Sequence, residues 1–183
     1  MTHPNHPLQD SSAFTELFEV HHLSVFRYIY ACSGGSLQEA EDLAAETFLR
    51  AWKARRRFEG DQNSALGWLL TIARHLVIDA SRRNKVRRVD QSIADIDEWQ
   101  ATHPIGYNIS FENQAIQREE FALLRAMLSN LPAERRELLV LRYVLEWQVK
   151  QIAAHLGLAE NTASVYLRRA LDQIRRDWPS EES

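Results

Sequence analysis

Of the 22 Lys and Arg residues in this 183-residue chain, eleven lie between positions 50 and 88. They are Arg50, Lys53, Arg55, Arg56, Arg57, Arg74, Arg82, Arg83, Lys85, Arg87 and Arg88, set against only three acids, Glu59, Asp61 and Asp79, for a local net charge of +8. Cations at this density attract phosphates through Coulomb forces and counterion release. A solvated helix end has the same composition, so the charge alone does not decide between the two. Residues 89–120 reverse the sign: seven acids stand against Arg118, a local net of −6. The formal whole-chain charge of −3 is therefore a sum of opposed blocks and does not exclude a polyanionic partner.

A second group of residues has the spacing of a DNA-reading helix-turn-helix, from Lys150 to Ala163. Ala153 is small enough for a second helix to cross closely. Gly157, four residues on, suits a left-handed turn. Ile152, Leu156 and Leu158 pack the pair, and Thr162 or Asn161 caps the second helix. Ser164, Val165, Arg168 and Arg169 are left on or near an exposed face, where a recognition helix meets the major groove. An ordinary helical hairpin has the same periodicity.

Enzymatic chemistry is not expected. There is no Gly-rich phosphate loop and no nucleophile–base pair. His21, His22 and Cys32 lack metal-ligand spacing, so neither a metal nor another cofactor is expected. A single cysteine forms no intrachain disulfide, which fits a reducing cytosol. The first residues carry no apolar signal segment, and no run approaches 18 apolar residues, so a cytoplasmic protein without membrane insertion is expected.

The elements that must position these residues are helical throughout. Hydrophobic residues at 45 % and charged residues at 26 % fit a globular chain. Phe14, Leu17, Phe18, Val25 and Ile29 mark a first helix that ends before Gly34-Gly35. A second runs from about Leu37 to Phe58, opened by a Ser36/Glu39 capping box. A polar loop follows, and a third helix starts near Ser64 with Leu66, Leu69, Leu70, Ala73, Val77 and Ala80 on one face. Periodicity then fails until Ile116. A structureless stretch of that length argues for two domains. Helices resume over 116–129, again from Leu131-Pro132, and as the helix-turn-helix. The expectation is an all-α chain: a disordered tail over 1–12, a helical domain over 13–88, a flexible acidic linker over 89–115 and a second helical domain over 116–178.

With order and spacing assembled, the chain resembles RNA polymerase sigma factors of the sigma-70 family, extracytoplasmic-function group. Three stretches carry the resemblance: residues 40–52 (AEDLAAETFLRAW), residues 67–79 with Arg82-Arg83, and Leu131-Pro132, Arg135, Arg142-Tyr143 with the helix-turn-helix. The first is similar to the region 2 helix that docks on core polymerase, which implies contacts from Asp42, Leu43, Glu46, Thr47, Leu49, Arg50 and Lys53. The second is similar to the helix that melts and reads the minus-ten element. It implies a base-holding loop of Gly60, Asp61, Gln62, Asn63 and Ser64, an aromatic at Trp68, and DNA contacts from Arg74, His75, Asp79, Arg82, Arg83 and Lys85. Extruded bases need such a rigid pocket because unstacking costs about a few kcal/mol per step. The third is similar to region 4, which implies minus-35 reading by Glu160, Asn161, Thr162, Ser164, Val165, Arg168 and Arg169. The implied partners are core RNA polymerase, promoter DNA and an anti-sigma protein.

Two departures stand out. His75 occupies a position where the family often has Asn. The recognition helix opens Thr162-Ala163-Ser164-Val165-Tyr166, with Ser164 and Tyr166 where many members have cations. Each lost phosphate contact lowers the salt slope of duplex binding by about 0.9. The competing reading is a free-standing helix-turn-helix regulator that binds an operator, which would leave the 40–52 helix without a purpose.

Overall fold

A computed structural model describes residues 10–84 and 124–178 of the chain. The expected linker, the helical start at Ile116, the tail before Asp10 and the role assigned to Lys85 lie outside the described residues. The chain divides into two compact units, Met1–Arg88 and Val89–Ser183. Among the described residues every regular element is helical, as the periodicity required.

Helix α1 (Ser11–Ser33) is opened by Asp10, whose carboxylate accepts from the Ser12 hydroxyl at 2.6 Å and from the Ser12 N–H at 3.5 Å. Those bonds, the hydroxyl foremost, hold the Asp10 carboxyl below its usual range. Ser11 and Ser12, expected in the tail, are therefore helical. The helix closes at Gly34, whose φ of 65° is the left-handed conformation glycine adopts without a Cβ penalty. Helix α2 (Leu37–Ala54) is capped by the Ser36 hydroxyl, which accepts from the Glu39 N–H at 3.1 Å. It ends earlier than its periodicity predicts. A 3-10 turn, Arg55–Arg57, tightens the last turn, and Phe58 is extended. Helix α3 (Gln62–Asn84) starts two residues before the expected Ser64.

The three helices pack pairwise. Val25, Tyr28 and Ile29 of α1, Ala40 and Ala51 of α2, and Leu69, Leu70 and Ala73 of α3 lose nearly all solvent contact. Burial of each large apolar side chain contributes about 1.5–3 kcal/mol. Phe14 sets its ring edge-on to Trp52 at 5.1 Å and so fixes α1 on the end of α2.

In the second unit a helical stretch, 124–130, precedes α4 (Ala133–Leu139). Pro132 is the N-cap of α4 rather than its first helical residue. A π turn over Val140–Val144 follows, with the Leu145 N–H bonded to the Val140 carbonyl at 3.1 Å. The chain leaves it through Glu146 at φ 58°, and the Arg142 Nη1 donates to the Trp147 carbonyl at 2.9 Å across that turn. Helix α5 (Val149–Leu156) and helix α6 (Glu160–Asp177) complete the unit. Leu138, Val140, Leu141, Ile152, Ala163 and Ala170 are fully enclosed. No helix among the described residues is long and apolar enough to cross a membrane.

Candidate nucleic-acid interface

The loop that enters α3 is built on one aromatic ring. Phe58 is buried and lies 4.7 Å from the Trp68 ring, centroid to centroid. The backbone at Gly60 passes so close to Phe58 that a Cβ there would meet its ring carbons at 2.6 and 2.9 Å, and would meet the Ser64 Oγ closer still. Glycine is thus required for close approach, not for a left-handed φ. Asp61 then starts the helix: its Oδ1 accepts from the Ser64 N–H at 2.9 Å and from the Ser64 hydroxyl at 2.7 Å. This bond explains the early start of α3. It also corrects the expected five-residue loop, because residues 62–64 form the first turn of the helix and the open backbone shrinks to residues 59–61.

Along α3, Ser64, Trp68, His75, Asp79 and Arg82 recur at helical spacing on one face. Ser64, His75, Asp79 and Arg82 are exposed, and Trp68 is half-buried. Asp79 lies 3.8 Å from Arg82, and the Arg83 Nε is 3.4 Å from the Asp79 carbonyl. Both ion-pair partners are well exposed, so the pair contributes little and both groups stay available to other ligands. Arg74 sits on a flank, half-buried.

On α2 the structure gathers five of the seven expected docking residues. Asp42, Leu49, Arg50 and Lys53 are exposed, and Glu46 joins them half-exposed. The Arg50 Nε donates to the Glu46 Oε1 at 2.7 Å. Leu43 and Thr47 are a correction. Both are buried, and the Thr47 hydroxyl is turned back onto the Leu43 carbonyl at 2.7 Å. They hold the helix on the core, and their five neighbours make up its uncovered face. Phe18, one of the apolar residues that mark α1, is 44 % exposed and packs edge-on against Phe48 at 4.8 Å, beside Leu49 in sequence. Periodicity could not reveal this, since an apolar residue at a core position reads the same whether or not a neighbour covers it.

The second unit forms the expected helix-turn-helix. Gly157 at φ 66° closes α5, with its N–H on the Ala154 carbonyl and the Leu158 N–H on the Ala153 carbonyl at 2.9 Å. These two bonds make a Schellman turn. Gln148 caps α5, and the Gln151 side chain returns to its N–H at 2.9 Å. The expected cap of α6 is corrected. Ala159 is the N-cap and makes no side-chain bond, so Asn161 and Thr162 fall inside the first turn, and Glu160 is the acid that meets the helix dipole. The reason is the Schellman turn itself, which redirects the chain so early that the helix starts before Asn161. Glu160, Asn161, Ser164, Arg168 and Arg169 are exposed, and Thr162 and Val165 are half-buried. Tyr166, which the sequence singled out only as a missing cation, is 36 % exposed. Beside this motif lies an apolar cavity of about 240 Å³, lined by Leu124, Leu128, Val140, Tyr143, Leu171 and Ile174, which no spacing rule flagged. No group of three or more metal-ligating side chains occurs among the described residues.

A three-helix bundle and a helix-turn-helix on one chain define a protein of two helical units with a DNA-binding motif. The family models agree: Sigma-70 region 2 matches residues 17–87, and Sigma-70, region 4 matches residues 121–174. The chain belongs to the sigma-70 family of RNA polymerase sigma factors, in the extracytoplasmic-function group. It is 29 % identical to the ECF RNA polymerase sigma factor SigL of Mycobacterium tuberculosis over 166 residues, 91 % of this chain and 89 % of that one. It is 25 % identical to SigX of Bacillus subtilis, covering 89 % of this chain and 82 % of the relative. Among solved structures, the fold matches the sigma factor RpoE from Bartonella quintana, in complex with the anti-sigma factor NepR, at a TM-score of 0.66 and 22 % identity, covering 89 % of this chain and 94 % of that one. CnrH, in complex with the cytosolic domain of CnrY, matches at 0.65 and 21 %, covering 92 % and 88 %.

Proposed function

We propose that this chain is a promoter-specificity subunit. It binds core RNA polymerase in the cytoplasm, opens and holds the minus-ten element with the first unit, and reads the minus-35 element with the second. The polymerase supplies the chemistry, and this chain adds recognition without catalysing a step. The observation that carries the reading is the presence, in family order, of an exposed mixed face on α2 and an aromatic-backed loop entering α3 on one unit, with a Schellman-closed helix-turn-helix on the other.

The exposure of these residues supports a division of labour. Asp42, Glu46, Leu49, Arg50 and Lys53 meet the polymerase. Residues 59–64 and Trp68, backed by the buried Phe58, hold unpaired bases, while Arg74, His75, Asp79, Arg82 and Arg83 meet the adjoining DNA. Exposed residues of α6 enter the major groove, with Arg168 and Arg169 on phosphates or guanine edges. With Ser164 and Tyr166 at positions where relatives place cations, the minus-35 contact carries fewer charges and a shallower salt slope. An anti-sigma protein is a further partner. RpoE, a protein of the same fold, was solved with one, and the exposed Phe18, Val20 and Leu49 offer it an apolar hold.

The test is run-off transcription with reconstituted core polymerase on a genomic promoter library. Transcripts should start from one promoter class only when this chain is present, and Glu46→Lys with Leu49→Asp should abolish co-purification with core. Tight, specific binding of duplex by the chain without polymerase would instead favour the free-standing regulator.

A further inference from the structure

The end of α2 holds more charge than the fold uses. Lys53, Arg55, Arg56 and Arg57 place four cations within five residues. Arg55 is accounted for locally. Its guanidinium lies 3.5 Å over the Trp52 ring, and its Nη1 donates to the Trp52 carbonyl at 2.6 Å. That stack contributes about 0.5–1 kcal/mol at an exposed site. All four cations lie in the last turns of the helix and its 3-10 extension, where the dipole favours positive charge by about 0.3–1 kcal/mol each without fixing any side chain in place. Arg56 and Arg57 are exposed, and no ion pair or side-chain hydrogen bond engages them among the described residues. Adjacent like charges repel, which offsets part of that gain in the isolated fold.

The place of this pair supplies the use. The next residue is Phe58, the ring that underlies Gly60 and faces Trp68. From Arg57 to Gly60 the chain spans at most about 11 Å, roughly the rise of three nucleotides along one strand. Arg82 and Arg83 stand at the other end of α3, about 27 Å from Ser64 along the helix axis. At physiological salt the Debye length is about 8 Å. Those arginines therefore do not act on phosphates that flank bases held at the loop. We infer that Arg56 and Arg57 form a second phosphate grip, on the backbone of the unpaired strand whose bases sit at residues 59–64. This inference rests on the reading of that loop as a base-holding site.

The test uses the holoenzyme on a promoter fragment chosen by the run-off experiment, once as duplex and once with its minus-ten segment pre-melted, over a salt series. Wild-type holoenzyme should prefer the pre-melted fragment; no preference overturns the loop reading and the grip with it. Given that preference, Arg56→Ala with Arg57→Ala should lower the salt slope on the pre-melted fragment by about 1.4, two single-strand contacts at about 0.7 each. Arg56→Lys with Arg57→Lys should restore most of it. An unchanged slope overturns the grip alone. Weakened binding to core polymerase with an unchanged DNA slope also overturns it, and assigns the pair to an acidic surface of the polymerase.

Discussion

Single residues decide whether the loop before α3 exists in this shape. Gly60 has no room for a methyl group, because Phe58 carbons would lie 2.6 and 2.9 Å away and Phe58 is itself pinned against Trp68. Gly60→Ala must displace the ring or the backbone, at about 1–3 kcal/mol. We expect a lower thermal midpoint and loss of permanganate-detected promoter opening, with minus-35 binding retained. His21 is a second case. Burial holds its imidazole below the usual range, so the folded state resists the proton more than the unfolded chain does. The resulting destabilisation is full below the folded value and relieved as pH rises through the unfolded value, about 6.5. Thermal midpoints should rise between about pH 5 and 7.5, and His21→Gln should flatten part of that rise. Equal profiles for the two proteins would remove His21 as a source.

At the scale of elements, turns and caps set which face each helix presents. Gly157 illustrates a constraint of a different kind from Gly60. Nothing lies within 4 Å of a Cβ built on it, so the cost of a side chain comes from φ 66° alone. Gly157→Ala should destabilise the second unit by about 1 kcal/mol, and Gly157→Asn by less, since Asn tolerates the left-handed region. Chemical denaturation of both variants checks this; equal losses would mean the turn is not the source. Helix existence and the helix-turn-helix were legible in the sequence, because 3.6-residue periodicity and a Gly after a small residue are local signals. Exact starts were not. Asp61 advances α3 to Gln62, and the Schellman turn makes Ala159 the N-cap in place of Asn161 or Thr162. Each depends on which of several competent residues the turning chain brings to the free N–H groups.

For the whole molecule, charge is distributed in blocks. Residues 50–88 carry +8 and residues 89–120 carry −6. Converting the seven acids of 89–120 to their amides removes seven negative charges and moves the formal net charge from −3 to +4. Nonspecific binding of the free chain to duplex DNA should then rise about tenfold at low salt, and the gain should shrink as salt screens it. Fluorescence anisotropy on a duplex of mixed sequence measures this, and unchanged affinity would show that the acidic block does not restrain the basic one. The amino-acid sequence by itself determined the helical class, the two-part organisation, the basic block and the recognition motif, since all four are properties of neighbours along the chain. Tertiary structure alone decided which apolar residues remain uncovered and which polar ones are consumed. Phe18 stays 44 % exposed while Thr47 is sealed in the core, and Arg55 is spent on Trp52 while Arg56 and Arg57 are not. The physical reason is that burial is a relation between helices distant in sequence, and no periodicity within one helix records what the others cover.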